Sequence, residues 1–395
     1  MVHAKRPGNG VILCWGLGIA FFVALAGAMS SPVSGRDKGT KAAATHPWYW
    51  IWIPQELAIS PDGKSVAACV SGPLGRLTWG AVWMSNVAGG GTRLILPGPL
   101  YKGGANCVAF SGDSKLLGLC RAAGVNPFRA LEPMGPSFMM ADYAVQLVDS
   151  PTGDAAGGFM RQGSVDRIAF SPDGRWIAAA RAFGAFPPFP PPLGEPGNLL
   201  HLWERQSGEA AKLSTSYHFD VGGLAFSPDS TELAVANKKH ISLLDVRERQ
   251  EVHRFDCHSP CYRAAFSPDG KFIAAADSHG LIYAWEVSTG KKLAVKAGRT
   301  WCRHSVIFSP AGEELVAASE DNATTIRFWD VSSGEEVKSL SFPEGAPCPF
   351  FFTPDGKAIV GGGAEASPVI HVWDVNTGKE LQRWDLTPVQ ERGGR

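Results

Sequence analysis

The sequence is short of charge and lacks the usual marks of catalysis. Charged residues make up 19% of its 395 residues, against about 25% in typical globular proteins. Lysine plus arginine and aspartate plus glutamate both number 37, so the formal charge is zero. That balance argues against nucleic-acid binding through phosphate neutralisation. The sequence has neither a Gly-x-Ser-x-Gly elbow nor a glycine-rich phosphate loop that ends in Lys-Ser/Thr after a strand.

Long apolar runs are also scarce, since a single run occurs near the N-terminus. This excludes a polytopic membrane protein. Turn-forming and aromatic residues are plentiful, with 46 glycines, 29 prolines, 13 tryptophans and 21 phenylalanines. This composition favours a globular, β-rich chain over a disordered or coiled-coil one. The length fits two or three domains, or a single all-β repeat fold.

The first 31 residues have the composition of an export segment. Lys5 and Arg6 form a basic head, residues 11–29 run without a charge, and Ala26-Gly27-Ala28 supplies small side chains at the end. These are the parts of a secretory signal peptide, but a run of this length also crosses a bilayer as a retained helix. The segment is predicted to be either a signal cleaved near Ala28 or a hydrophobic signal-anchor helix.

Both interpretations export the rest of the chain, to the periplasm or another extracytoplasmic space. The charges that flank the apolar run do not fix its orientation, so a tethered protein that faces the cytoplasm stays open. Residues 32–46 are small and polar and are predicted to form a flexible linker. Membrane contact is expected only through the N-terminal segment.

One short pattern recurs seven times in the rest of the chain. An apolar stretch leads into a turn of the Ser-Pro-Asp-Gly type, and a run of small and apolar residues returns from it. The copies occupy residues 57–69, 108–120, 168–180, 224–236, 264–276, 306–318 and 351–363. A second pattern follows each copy and is clearest in residues 282–293, 326–337 and 370–381. Two patterns in a fixed order indicate a repeat architecture.

Each unit predicts a small antiparallel sheet. Proline presets φ in the turn, and glycine supplies the positive φ that closes the hairpin. A third strand ends in Trp-Asp or a related pair, and a Ser/Thr-Gly turn leads to a more polar fourth strand. Four strands of this length bury only one face when alone, whereas seven such sheets stacked around an axis bury both.

The chain resembles the WD40 family of β-propellers over about residues 48–386. The motifs that carry the resemblance are Ser-Pro-Asp-Gly at 60–63, 171–174 and 267–270, and the pairs Trp203-Glu204, Trp285-Glu286, Trp329-Asp330 and Trp373-Asp374. The resemblance implies an all-β, seven-bladed β-propeller of four-stranded antiparallel blades over residues 47–386. Residues 387–395 are then expected to be a disordered tail.

The resemblance also implies a non-catalytic protein–protein interaction scaffold. We expect a monomeric propeller that binds an unidentified protein or peptide, without a cofactor and without nucleic acid. The chain departs from the family because most units lack the Gly-His pair that precedes the first strand. Asp256-Cys257-His258 is the nearest remnant. The internal His–Ser/Thr–Trp network of the family is therefore in doubt, and the blades are expected to rely on packing.

Ring closure has two candidate strands. Residues 379–386 can form the outer strand of the last blade, which gives seven consecutive four-stranded blades. Residues 48–52 (Trp-Tyr-Trp-Ile-Trp) are a candidate for a strand borrowed from the N-terminus, as is common in the family. We favour the C-terminal strand, with the N-terminal residues packed nearby.

The first three units are interrupted between their second and third strands. The inserts are Ser71–Thr78, Arg121–Asp142 and Arg181–Asn198. In a WD40-type ring such loops leave adjacent blades on one face, where inserts often mark a binding surface. Either these loops pack on each other and cap the ring, or their apolar side chains form a partner site. The candidate partner-binding residues are Phe128, Met134, Phe138, Met139, Met140, Phe183, Phe186 and Phe189.

Four cysteines are expected near the mouth of the axial channel, where the innermost strands begin. As channel-mouth thiols or disulfide partners we nominate Cys107, Cys261, Cys302 and Cys348. Cys69 and Cys120 fall on the small-residue strand and are interpreted as buried thiols. Cys257-His258-x-x-Cys261 lacks a second Cys/His pair at zinc spacing, so no metal site is predicted.

The second hypothesis is an extracytoplasmic enzyme, or a small-ligand binder, that uses the axial channel. Distant blades of a propeller can place catalytic groups around the channel without a local motif. Besides the cysteines, the sequence puts Gln55, Asp166 and Gly222 at the start of innermost strands. This is a poor catalytic set, so no catalytic residue is predicted.

Overall fold

The structure is all-β and built of small antiparallel sheets. The computed structural model describes residues 53–71, 81–87, 91–96, 105–121, 145–159, 165, 167–180, 200–211, 221–237, 240–293, 295, 300, 306–318, 325–342, 347–362 and 369–386. All of them belong to one unit, Trp48–Arg395. Within these ranges we find no helix long and apolar enough to cross a bilayer. The predicted signal or anchor, the linker and the tail lie outside them.

The described ranges contain 27 strands in seven sheets, one per predicted unit. Blade 1 is formed by β1 to β4, Ile53–Ile59, Ser65–Ser71, Ala81–Asn86 and Arg93–Leu96. Blade 2 is formed by β5 to β8, Ala105–Phe110, Leu116–Arg121, Val145–Asp149 and Ala155–Phe159. Blade 3 is formed by β9 to β12, Arg167–Phe170, Trp176–Ala180, Leu200–Glu204 and Ala210–Ala211.

The later blades repeat this order. Blade 4 is formed by β13 to β16, Gly223–Phe226, Glu232–Ala236, His240–Asp245 and Gln250–Asp256. Blade 5 is formed by β17 to β19, Cys261–Phe266, Phe272–Asp277 and Ile282–Glu286. Blade 6 is formed by β20 to β23, Val306–Phe308, Glu314–Ala318, Thr325–Asp330 and Glu336–Ser341. Blade 7 is formed by β24 to β27, Phe350–Phe352, Ala358–Gly362, Val369–Asp374 and Glu380–Asp385.

Neighbouring strands within each sheet follow one another in the sequence and are antiparallel. Blade 5 has three strands, and an isolated bridge between Trp285 and Lys292 stands at the position of its fourth. The structure therefore confirms the predicted seven-bladed propeller of four-stranded antiparallel blades, with the outer edge of blade 5 reduced to this bridge among the described residues.

Apolar side chains are buried between the blades rather than inside them. Seven hydrophobic clusters occur, and each joins two successive blades. The second strands lie in the middle of these sandwiches, which explains their small residues: Ala274, Ala275 and Ala276 are completely buried. A larger side chain there would push two blades apart, and such overpacking typically costs about 1–3 kcal/mol.

The ring closes between blade 7 and blade 1. Leu57 and Val66 of blade 1 pack with Ile370, Val372 and Trp384 of blade 7, and β1 lies beside β24 as the innermost strands of the two blades. The outer strand of blade 7 is β27, at the C-terminal end of the propeller. This confirms that a C-terminal strand completes the last blade. Residues 48–52, the alternative, lie outside the described residues.

Side-chain hydrogen bonds within each turn stabilise the Ser-Pro-Asp-Gly turns. In blade 5 the Ser267 hydroxyl donates to Asp269 Oδ1 at 2.6 Å and accepts from the Phe272 amide at 2.9 Å. Gly270 has a φ of 73°, a left-handed conformation that glycine adopts without strain. Two turns have serine at this position instead, Ser114 and Ser230, also with positive φ. The predicted turn chemistry is therefore confirmed, with a serine variant.

Candidate functional site

The two faces of the ring are formed by different connections. Because the strands of a blade are antiparallel and sequential, its innermost strand begins on the face from which the second-to-third connection leaves. We call this the loop face, and it also carries the connections between blades. The two hairpin turns of each blade lie on the opposite face, the turn face. The predicted inserts and the predicted channel-mouth residues therefore share one face.

The strand boundaries agree with the predicted inserts. In the first three blades the chain leaves the second strand at Ser71, Arg121 and Ala180 and returns on the third at Ala81, Val145 and Leu200. In blade 4 the same connection runs only from Ala236 to His240, and in blade 5 from Asp277 to Ile282. The eight candidate partner-binding residues, from Phe128 to Phe189, lie outside the described residues and stay a prediction.

A charged cleft lies on the axis of the ring. It is small and is lined by residues of the innermost strands of blades 1 to 5 and by Gly222 just before β13. Its central feature is an ion pair between Glu56 on β1 and Arg263 on β17, with a nitrogen–oxygen distance of 3.0 Å. Blades 1 and 5 are not neighbours in the ring, so this pair spans the axis.

Two further contacts hold the charges of this axial cleft in place. The Arg263 guanidinium carbon lies 5.0 Å from the centre of the Phe351 ring of blade 7, a cation–π arrangement. The Arg167 Nε donates to the Gly222 carbonyl at 2.9 Å and so ties blade 3 to blade 4. The charged groups of the cleft thus make contacts between three pairs of blades, 1 and 5, 5 and 7, and 3 and 4. The ring determines their spacing.

Gly222 permits the close approach of blades 4 and 5 beside the cleft. A Cβ atom at this position would lie 2.0 Å from the Cys261 carbonyl oxygen, so any larger residue would separate the two innermost strands. The prediction that Gly222 lies at the channel is confirmed by its place in the cleft lining. Asp166 lies outside the described residues, as does the side chain of Gln55.

Sequence reasoning missed Glu56, Arg167 and Arg263. Each lies one or two residues beyond the strand-start positions that the sequence singled out. A signal was present, because each is a charged residue in an otherwise apolar innermost strand, as in Arg263 within Cys-Tyr-Arg-Ala-Ala-Phe. Charged side chains in such a strand avoid the blade interfaces and point to the axis, where they find water or each other.

The nominated cysteines fall into two groups. Cys261, the first residue of β17, forms a disulfide with Cys257, the two Cα atoms being 6.8 Å apart. Cys348, two residues before β24, is disulfide-bonded. Cys107 is a buried thiol on β5 that lines the axial cleft. Cys302 lies outside the described residues.

The remaining described cysteines are buried thiols. Cys69 and Cys120 lie on second strands, as predicted. Burial, followed by the nearby Cys107, raises the pKa of the Cys69 thiol far above its ordinary value, so this thiol is unreactive. Among the described residues, no group of three histidine, cysteine or acidic side chains is arranged to hold a metal ion.

Blade 5 contains an internal hydrogen-bond network that differs from expectation. The Tyr283 hydroxyl donates to Asp277 Oδ2 at 2.8 Å and lies 3.2 Å from His258 Nδ1. The Tyr283 ring stacks on Trp285, with centroids 5.5 Å apart. The sequence predicted blades that rely on packing alone, because the Gly-His pair is missing. In blade 5 a tyrosine on the third strand reaches His258, which retains a version of the network.

Comparison with known proteins agrees with the architecture. The model of the family described as WD domain, G-beta repeat matches residues 249–286, which include the network of blade 5. The chain is 30% identical to a WD repeat-containing protein of Schistosoma mansoni over 122 aligned residues. The alignment covers 30% of this chain and 40% of that protein. The chain is also 23% identical to the serine-threonine kinase receptor-associated protein of Homo sapiens over 129 aligned residues. This alignment covers 33% of the chain and 37% of that protein.

A third relative is an uncharacterized WD repeat-containing protein of Synechocystis. It is 25% identical over 160 residues, which is 40% of this chain and 42% of that protein. The chain thus aligns with less than half the length of each of these three relatives. The seven blades and the matched repeat together support a WD40 propeller, an architecture typical of protein-interaction scaffolds.

Proposed function

We propose that this chain is an exported, non-catalytic scaffold that binds a protein or peptide on its loop face through the inserts of blades 1 to 3. The observation that carries the proposal is the strand spacing: three adjacent blades have long second-to-third connections, whereas blades 4 and 5 have short ones. A rigid ring presents such loops at a low cost in entropy, which favours affinity. Large apolar side chains in the loops supply the anchors that dominate most interfaces.

The composition of the two larger inserts supports this surface. Residues 121–142 contribute two phenylalanines and three methionines, and residues 181–198 contribute three phenylalanines. Methionine adapts to irregular apolar partners. The Pro-Pro-Phe-Pro-Pro-Pro segment around Phe189 favours an extended polyproline conformation that holds the aromatic ring without further ordering.

Export is supported by the cysteines as well as by the leader. Cys257, Cys261 and Cys348 are all disulfide-bonded, and disulfides persist in oxidising compartments but are rare in the cytosol. In this proposal residues 11–29 either direct cleavage near Ala28 or remain as an anchor. The mass of the protein purified from its native cells decides: a start near Met29 shows a cleaved signal, and an intact Met1 in a membrane fraction shows an anchor. A soluble protein with an intact Met1 would contradict export.

The interaction surface is tested by replacing two of its aromatic anchors. Phe186→Ser with Phe189→Ser should lose the partners that the parent chain retains after cross-linking in the native cell envelope. The control is Val337→Ser, an exposed apolar residue on the outer strand of blade 6. Cross-linked peptides should map to residues 121–142 or 181–198. Identical partners for the parent and the double variant would overturn the proposal.

A further inference from the structure

Two outer strands carry a basic side chain that donates to the following blade. Arg93 of blade 1 donates to the carbonyls of Ser150 and Pro151 in blade 2. Lys338 of blade 6 donates to the Val375 carbonyl of blade 7 at 2.6 Å. Both donors occupy the same register, since each pairs with the residue two before the end of its third strand. The acceptors Ser150 and Val375 are also equivalent, because each directly follows a third strand.

Gln382 occupies this register in blade 7, where the following blade in the ring is blade 1. It pairs with Val372. Its side-chain nitrogen donates to the Val87 carbonyl of blade 1 at 3.2 Å, in the amide orientation in which its oxygen accepts from Trp384 Nε1 at 2.8 Å. Val87 directly follows the third strand of blade 1, as Val375 does in blade 7. The hydrogen bond between blades 7 and 1 thus repeats the one between blades 6 and 7.

This hydrogen bond lies beside the apolar joint between blades 7 and 1. The Trp384 ring is buried in the cluster that joins the two blades, and Val87 packs against the same cluster. One amide therefore satisfies a ring nitrogen and a backbone carbonyl at the joint, where an unpaired polar group would cost stability. The described strands follow one another from blade 1 to blade 7, so these two blades stand at the two ends of the described chain. Their joint therefore depends on side-chain contacts among the described residues.

We propose that Gln382 is a latch that keeps the ring closed between blades 7 and 1. The latch is a conformational device: when its hydrogen bond to Val87 breaks, this joint opens locally, while the other joints stay packed because the chain spans them. The inference goes beyond the proposed function, since it involves no partner. The latch needs a donor at residue 382, and a lysine also supplies one, as Lys338 does at the preceding joint.

Two adjacent residues of β2 face different joints and allow each joint to be probed separately. Ala68 is completely buried in the cluster between blades 7 and 1, whereas Cys69 is buried in the cluster between blades 1 and 2. A full-length reporter chain with Ala68→Cys and Cys69→Ala therefore carries a thiol that N-ethylmaleimide reaches when the joint between blades 7 and 1 opens. In the parent chain Cys69 reports on the next joint. Peptide mass mapping gives the labelling rate of each thiol under native conditions.

The latch predicts a different rate for each variant. Gln382→Ala should speed labelling of residue 68 in the reporter chain about fivefold, the factor that one ordinary hydrogen bond contributes to an equilibrium. The same substitution in the parent chain should leave the labelling rate of Cys69 unchanged. Gln382→Glu cannot donate to Val87 and should label as fast as Gln382→Ala, whereas Gln382→Lys should restore slow labelling. Lys338→Ala, the matched loss between blades 6 and 7, should leave residue 68 as slow as in the reporter chain.

The same rates show when the proposal fails. Unchanged labelling of residue 68 in Gln382→Ala would overturn it, and so would fast labelling in Gln382→Lys. An equal rise in the labelling rate of Cys69 in Gln382→Ala, or of residue 68 in Lys338→Ala, would show a general loss of stability rather than the opening of one joint. Either of these results would also overturn the latch.

Discussion

The Tyr283 hydroxyl donates a 2.8 Å hydrogen bond to Oδ2 of Asp277, whose side chain is completely buried. The other oxygen of Asp277 accepts from the backbone amides of His279 and Leu281. One carboxylate thus organises the tight connection between β18 and β19 and fixes the third strand of blade 5. Burial and the bond to Asp277 raise the pKa of Tyr283 to about 12, so the donor stays protonated at neutral pH.

Removal of this donor should destabilise the propeller. Tyr283→Phe leaves the ring stacked on Trp285 but deprives a buried carboxylate of its hydroxyl partner, which typically costs about 1–3 kcal/mol. Urea unfolding followed by tryptophan fluorescence measures the loss. Phe272→Tyr is a control that adds a hydroxyl to the same blade without touching Asp277. An unchanged unfolding midpoint in Tyr283→Phe would show that the network contributes nothing.

Acid should weaken the turn face before the blade cores. The Ser267 hydroxyl, more than any other group, lowers the pKa of Asp269 to about 2, and hydroxyl groups lower the pKa of the equivalent Asp62, Asp113, Asp229 and Asp355. Since folding depresses these pKa values, their stabilisation is complete above about pH 4 and is lost as the pH falls towards 2. The melting temperature should drop through this window.

A single-site variant separates the turns from general acid effects. Asp269→Asn should be less stable than the parent at pH 7 and should lose less stability between pH 4 and pH 2. Asp256→Asn, on the outer strand β16, is the matched control and should follow the parent. Parallel melting curves for the parent and Asp269→Asn at all pH values would contradict the assignment.

Two turns use serine to connect neighbouring blades. The Ser230 hydroxyl accepts a hydrogen bond from the Asp173 amide at 3.0 Å, and Ser114 accepts one from Asp62 at 3.1 Å. Ser230→Ala should destabilise the chain by about 1 kcal/mol, because it loses the bond and keeps the left-handed backbone. Ser230→Gly should be closer to neutral, since glycine relieves the backbone cost. Urea unfolding measures the free energy of unfolding of both variants. An equal decrease in the two would contradict a backbone cost at Ser230.

The thiols should divide into two classes under denaturing alkylation. Cys69, Cys107 and Cys120 should react in denaturant without a reductant, whereas Cys257, Cys261 and Cys348 should react only after reduction. Peptide mass mapping gives the assignment residue by residue. Cys257→Ser with Cys261→Ser should cost about 2 kcal/mol, the value for closure of so short a loop. Labelling of Cys257 before reduction would contradict the disulfide.

Local features of the fold could be read from the sequence because they depend on neighbouring residues. The Ser-Pro-Asp-Gly turns, the small-residue second strands and the positions of the inserts all follow from backbone geometry within about ten residues. His371 stacks on Trp373, two residues further along the same strand, with ring centroids 5.1 Å apart.

The axial cleft could not be predicted from neighbouring residues of the sequence. Three blades of the sequence lie between Glu56 and Arg263, and the two residues meet only because the ring brings their strands to one axis. The cysteines show a similar limit, since the sequence around Cys261 is compatible both with a disulfide and with a thiol at the channel mouth. The distance between the Cα atoms of two cysteines decides whether they can form a disulfide, and sequence spacing alone does not give that distance across a turn of this kind.

Closure of the ring by the four consecutive strands of the last blade has a mechanical consequence. Among the described residues the joint between blades 7 and 1 shares no strand and consists of interlocked side chains. At each of the other six joints the chain also runs on from one blade into the next. Under tension the described part of the ring should therefore part first between blades 7 and 1.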